Sequence, residues 1–396
     1  MPPSDGRRAL ALICAVALGV ATNYTNHGPV IGFIQREYAL NAGTAGMMAT
    51  AFFIGAGMLM LAGGALADRL GARTPVTVGF LLTSLSTVGC GLLAPTYPAL
   101  LAWRFLGGLG GGVAFAAGAS YTRQVFAGRG QHLAQGLYGS AFLAGSALPL
   151  LYMPLLAGPG GDWQRAYVLS GLATVAIWLA WWRLAPPGTS PRPGQAGGLR
   201  TTLRTRNSWL LALSHTCGFG LAMVLGTWVV GYLADEFALP VVLAGALGSL
   251  VLVLGIAGRS GGSLALERGV PPLPLIRVGI GLAAVGLATM ALAGSLLPAF
   301  AGLFATGLGV GLPYAALFNG AAASAPASPG AAQGFVGWGG SMTAIVGPPL
   351  VGALLDAGGG FTSGFLALAG FALLVLLATF AMHPISFDRQ SLIAEA

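Results

Sequence analysis

The strongest constraint on this chain is a rhythm. Apolar runs, each about as long as a membrane-crossing helix, follow one another with only a few polar or glycine-rich residues between them. They fall at about 9–33, 44–66, 75–95, 99–122, 133–157, 165–184, 208–233, 240–262, 272–293, 297–322, 330–355 and 361–382, twelve in all. Each is near the roughly 20 residues a helix needs to cross ~30 Å of hydrocarbon. In lipid such a run must satisfy its backbone internally, which makes it helical. Composition agrees: 56% of residues are hydrophobic, 7% are charged and the mean hydropathy is +0.81, whereas a soluble chain is about a quarter charged. The expected fold is all-α, a polytopic membrane protein with twelve transmembrane helices.

The net charge of +8 comes entirely from arginine, because the chain has no lysine. With the N-terminus inside, fourteen arginines (7, 8, 69, 73, 123, 129, 183, 192, 200, 204, 206, 268, 277 and 389) fall on the cytoplasmic side, and only Arg36 and Arg165 on the other. That asymmetry is the positive-inside bias of a multi-pass protein of the plasma (inner) membrane with both termini cytoplasmic. It explains the excess charge without a nucleic-acid partner. The basic start and apolar core of "MPPSDGRRALALICAVALGVATNY" resemble a secretion signal, but the run continues through "GPVIGFI". That is longer than a signal's apolar region, so the segment is expected to stay as the first span. Cys14, Cys90 and Cys217 all fall inside spans, where thiols act as small apolar side chains.

The segment "RLAPPGTSPRPGQAGGLRTTLRTRNS" breaks the rhythm near the midpoint. It is rich in Pro, Gly, Ser and Arg and reads as a cytoplasmic linker. Six spans precede it and six follow, and motifs recur across it. "GGALADRLG" at 63–71 faces "GGSLALERG" at 261–269, with five identities in nine at an offset of 198; "AQGLYG" at 134–139 faces "AQGFVG" at 332–337 at the same offset. "GFIQREYALNAGTAG" and "FLGGLGGG" find partners in "GYLADEFALPVVLAG" and "FATGLGVG" at an offset of 199. Four pairs in one order mark a duplicated unit. The expected organisation is two pseudo-symmetric six-helix bundles, 1–184 and 208–396, joined by a linker at 185–207.

With these motifs the chain resembles the major facilitator superfamily over nearly its whole length. Gly64, Asp68, Arg69, Gly71 and Arg73 in "GGALADRLGAR" match that family's signature between its second and third helices. "RFLGGLGGG" from Arg104 is similar to its fourth-helix signature. The fifth-helix antiporter signature is degraded: "GSALPLL" has Pro149 without Gly-Pro, which occurs instead at Gly347–Pro348. The resemblance implies a secondary transporter of a small molecule that works by alternating access, embedded in a lipid bilayer as a monomer, with no cofactor and no metal.

The first signature can also be read physically. Gly64 lets a neighbouring backbone approach, and Gly71 permits a sharp turn. Asp68, at a cytoplasmic helix end, can accept from Arg73 or from the N-terminus of a helix in the other half. That would make the segment a conformational latch. Its other reading is a topogenic loop in which Arg69 and Arg73 only fix orientation.

Repeat-built transporters bind substrate near the bilayer midplane, so polar residues deep in the spans are the candidate substrate contacts. Asn23, Tyr24, Asn26 and His27 lie in the first span, the asparagines and His27 at i, i+3 and i+4 spacing on one face. They can line a cavity or bond helices together. Arg104 and Arg259 lie inside spans, yet none of the ten acids does. A buried arginine without a carboxylate partner suits an anionic substrate. "GRSGGSLALER" around Arg259 is also similar to the eighth-helix segment of monocarboxylate and oxalate carriers, which implies that Arg259 meets a substrate carboxylate. Arg259 can alternatively snorkel to the surface, and Arg104 can be packing support. His215, Tyr314, Asn319 and Trp338 complete the candidate substrate contacts, with Trp228 beside them. With no deep carboxylate to carry a coupling proton, His27 or His215 would have to do so; facilitated diffusion and exchange of one anion for another are the other routes. The spans hold no cluster of His, Cys, Asp or Glu at catalytic spacing, so an enzyme is not expected. A small organic or inorganic anion is the leading substrate, and export of drug-like or neutral solutes is the alternative.

Overall fold

The computed structural model describes residues 3–126, 131–186, 198–325 and 329–385. Seventeen α-helices follow one another: α1 (Pro3–Thr25), α2 (Ile31–Tyr38), α3 (Ala42–Leu70), α4 (Arg73–Leu92), α5 (Tyr97–Val125), α6 (Gln131–Ala157), α7 (Trp163–Leu184), α8 (Gly198–Arg204), α9 (Arg206–His215), α10 (Leu221–Phe237), α11 (Val241–Gly248), α12 (Leu250–Glu267), α13 (Pro272–Ala291), α14 (Leu296–Gly311), α15 (Tyr314–Ser324), α16 (Pro329–Leu354) and α17 (Gly360–Ala378). There is no strand among the described residues. Eleven helical runs are long and apolar enough to cross a membrane. The last, Ala331–Ala381, is 51 residues long. It holds two crossings, because Gly358 (φ 81°) and Gly360 (φ 58°) turn the chain between α16 and α17. The fold is the all-α, twelve-helix architecture expected.

Several spans are broken, for local reasons. The first divides into α1 and α2 around a 3-10 turn at Gly28–Val30, where Pro29 has no N–H to continue the ladder. Asn26 and His27 therefore lie in the turn, and they do not continue the α1 face as their spacing suggests. The seventh passes through a π-helical turn, Thr216–Gly220, between α9 and α10. The tenth breaks at Pro313, which N-caps α15. Polar caps start other helices: the Asn41 side chain accepts from Thr44 N at 2.8 Å, and Asp162 accepts from Arg165 N at 2.8 Å.

The repeat is visible in the backbone. Ala39 and Ala238, paired at an offset of 199, are the only non-glycine residues at positive φ among those described, at 52° and 51°. Gly71 and Gly269, which close the paired motifs, have φ of 76° and 86°. Small residues make the closest helix contacts. A Cβ on Gly108 or Gly112 of α5 would run into Phe52 O or Ala56 O of α3, and one on Gly311 of α14 would run into Gly255 O of α12. The same device brings each half's helices together.

The chain divides into two compact units. The first comprises 1–194, 223–253 and 344–364; the second comprises 195–222, 254–343 and 365–396. Within the first, α10, α11 and the C-terminal part of α16 pack on helices from the beginning of the chain. Gly245 of α11 lies against Leu150 O and Pro154 of α6, and Trp228 Nε1 of α10 donates to Pro348 O at 3.0 Å.

Candidate functional site

Of the arginines within spans, Arg104 and Arg259 are the candidate substrate contacts, one in each unit. Arg104 is in the first, 2% exposed. Its Nη1 donates to Asn23 O at 2.9 Å and to Asn26 Oδ1 at 2.8 Å. Nε donates to Met48 O at 3.3 Å, and Nη2 bonds His27 Nδ1 at 3.2 Å. The guanidinium carbon also sits 4.7 Å from the centre of the Phe52 ring. No carboxylate touches it, so the cation is held by neutral acceptors and a ring face.

These bonds fix their neighbours in turn. Arginine has no acceptor, so His27 Nδ1 must receive the hydrogen bond. Nε2 then carries the proton and donates to Thr227 Oγ1 at 3.1 Å. Thr227 Oγ1 in turn donates to Met223 O at 3.1 Å. Asn23 Oδ1 accepts from Thr87 Oγ1, and Asn26 Nδ2 donates to Asn23 Oδ1 at 3.4 Å. Tyr24 is buried, its ring edge-on to Phe52, Phe53 and Phe142. All five of the first-half candidates thus meet in one place. The polar atoms of Asn23, Asn26, His27 and Arg104 are taken up by one another and by α3, α4 and α10.

The second unit is different. Arg259 lies on α12 between Gly258 and Gly262, whose missing side chains admit Leu308 O and Leu312 O. That contact brings the break at Leu312–Pro313 close to α12 and places the first residue of α15 against the arginine. The Arg259 guanidinium carbon lies 4.0 Å from the centre of the Tyr314 ring. Arg259 is half-buried. Its guanidinium makes no hydrogen bond or ion pair with any described residue, while its backbone carbonyl accepts from Ser263 Oγ at 3.0 Å.

His215 ends α9, just before the π-helical turn, and is 4% exposed. Its ring packs edge-on to Phe318 at 5.1 Å and lies 6.2 Å from Tyr314 and 6.1 Å from Phe219. Gly340 of α16 makes room for it, since a Cβ there would come within 2.6 Å of the imidazole Cδ2. His215 Nδ1 is enclosed and has no hydrogen-bond partner among the described residues. Buried polar atoms are nearly always satisfied. An unspent guanidinium and an unspent imidazole nitrogen therefore flank the same tyrosine.

Asn319 is exposed on α15, and Trp338 stacks on Phe335 at 5.7 Å. Trp228 is committed to Pro348. Of the latch residues, Gly71 takes the positive φ its turn needs, Arg69 is exposed, and Arg73 Nη2 donates to Trp182 O at 2.8 Å. Gly64 and Asp68 fall within α3, but their side chains lie outside the described residues.

Sequence reasoning did not single out Phe318, Phe219, Thr227 or Gly340, which complete these two clusters. Only the period of α15 could have flagged Phe318, four residues after Tyr314. The others meet their partners across breaks that carry no sequence period.

Comparisons with known proteins identify the family of the chain. The family model described as Major Facilitator Superfamily matches residues 13–329. The chain is 25% identical to a probable nitrate/nitrite antiporter of Thermus thermophilus, NarK1, over 80% of this chain and 78% of that protein. It is 26% identical to a hexuronate transporter of Bacillus subtilis over 87% of each. It is 31% identical to monocarboxylate transporter 11 of Homo sapiens, covering 77% of this chain and 67% of that one. Among solved structures, a bacterial homologue of the human lysosomal transporter Spinster superposes with a TM-score of 0.79 at 17% identity, over 96% of this chain and 98% of that one.

Proposed function

The chain belongs to the major facilitator superfamily of membrane transporters, and from that premise we propose that it carries a small anion by alternating access, with Arg259 as the anion's main contact. The observation that carries this reading is the Arg259 guanidinium, stacked on Tyr314 and bonded to no described residue. A planar fork of free N–H groups in a low-dielectric site is suited to two-point binding of a carboxylate or nitrate. His215 and Tyr314 stand beside it as further contacts. Similarity to proteins named for nitrate/nitrite, hexuronate and monocarboxylate supports the choice of charge. The cluster at Asn23, Tyr24, Asn26, His27 and Arg104 is assigned to helix packing, because the Arg104, Asn26 and His27 donors already have acceptors and the Tyr24 ring packs among phenylalanines.

The topology proposed with it has both termini in the cytoplasm, halves at 1–184 and 208–396, and a cytoplasmic linker at 185–207. A cysteine introduced near Gln195 is then labelled by an impermeant reagent only from the cytoplasmic side. The substrate reading is tested by counterflow into proteoliposomes with carboxylates, nitrate, sugars and cationic dyes. Arg259→Ala is expected to lose anion exchange by at least about tenfold, equivalent to ~1.4 kcal/mol, and to fold normally. Arg259→Lys should recover part of the rate, since an ammonium lacks the planar fork. Unaltered anion affinity in Arg259→Ala would make export of neutral or drug-like solutes the better account.

A further inference from the structure

The longest-range polar contact in the first unit joins the π-helical turn after α16 to the start of α3. Asp356 lies in that turn, Leu355–Gly359. Its Oδ1 accepts from Ala42 N at 2.8 Å and its Oδ2 from Gly43 N at 2.7 Å. The next donors of the first turn are served locally, Thr44 N by the Asn41 side chain and Ala45 N by Asn41 O at 3.0 Å. The α3 N-terminus is therefore capped half by its own Asn41 and half by a carboxylate from 313 and 314 positions further along the chain. A negative charge at this end of a helix is favoured by the helix dipole and by the free N–H groups there.

The surrounding seam is built for close approach. A Cβ on Gly43 would lie 3.2 Å from Asp356 Oδ2, and one on Gly46 would lie 2.7 Å from the carbonyl of Pro348. A Cβ on Gly352 would collide with Ala42 O. Further along, Thr50 Oγ1 donates to Ile345 O at 2.6 Å. Asp356 supplies the one charged group in these bonds. It lies at the end of the helices away from the N-terminus of α1, opposite the Asp68 signature.

We propose that Asp356 and the α3 N-terminus form a reversible latch that keeps this end of the transporter closed. The proposal rests on the alternating-access reading above. A cycle of that kind must part α3 from α16 at this end, and the bond it breaks is one that water can replace. The carboxylate and both N–H groups are solvated once exposed, and the glycines at 43, 46 and 352 have no side chain to disengage. The latch therefore favours one state without trapping it.

The test uses spin labels on cysteines replacing the exposed Met47 of α3 and Leu350 of α16, in protein lacking Cys14, Cys90 and Cys217. Double electron–electron resonance then reads the separation of the two helix ends. Asp356→Asn keeps the shape and removes the charge. It should raise the ratio of the long-distance to the short-distance population about two- to fivefold, the range expected for one helix-end charge. Asp356→Glu should restore part of the short population. An Asp356→Asn variant with lower thermal stability and unchanged distances would show ordinary capping and overturn the proposal. Populations that respond to Asp356→Asn in protein that exchanges no anion would leave the latch intact and count against the substrate reading alone.

Discussion

Two arginines inside apolar spans pose one electrostatic problem and meet it in opposite ways. Arg104 has neutral acceptors around it, and removing it strands several of them. Arg104→Ala would leave Asn26 Oδ1 and His27 Nδ1 without the donor they have in this buried site, and would take one donor from the carbonyls of Asn23 and Met48. Each stranded group costs ~1–3 kcal/mol. Thermal unfolding in detergent is therefore expected to drop sharply for Arg104→Ala and to stay nearly level for Arg259→Ala. Equal losses in the two variants would mean that Arg259 is also structural. The sequence shows both arginines and the lack of a deep acid beside them. It does not show which is already satisfied, because the partners of Arg104 come from a turn, from α3 and from a histidine well over fifty positions away. The two histidines divide the same way, since both nitrogens of His27 are bonded and Nδ1 of His215 is not.

At the scale of elements, the seam between α3 and α5 explains why glycine is so frequent. The chain has 65 glycines, and those that touch backbone cannot change without moving a helix. Gly108→Ala would push a methyl into Phe52 O, and overpacking of this kind costs ~1–3 kcal/mol. Gly32→Ala, with nothing within 4 Å of its added Cβ, should be neutral or slightly stabilising, because alanine is the better helix former. The difference in melting temperature between the two variants checks the seam; similar values would show that α3 and α5 can separate at little cost. The spans themselves were legible from the length of their apolar runs, and the repeat from paired motifs. The breaks were not. The turn at Gly28–Val30 and the π-helical turn after His215 interrupt helices whose apolar content is continuous, so hydropathy alone runs straight through them. Those breaks are where the candidate site residues gather. The helices could be read from the sequence, while the assembly of each cluster depended on tertiary contacts with no local signal.

At the scale of the whole molecule, charge is placed at helix ends on both faces of the membrane. Asp68 belongs to the signature at one end of α3, and Asp356 binds the other end of the same helix. If each carboxylate steadies closure of its own side, the two act on one equilibrium with opposite sign. Asp68→Asn is expected to favour the state open to the cytoplasm, and Asp356→Asn the state open to the outside. Each single variant should slow exchange, because a cycle is fastest when neither state is strongly preferred. The double variant Asp68→Asn with Asp356→Asn should then exchange faster than either single variant, with accessibility on both sides returning toward that of the unmodified protein. Two distant, purely structural caps would instead add their losses independently, making the double variant the slowest of the three. Counterflow rates of the three variants, measured with accessibility of cysteines at each membrane face, separate these outcomes.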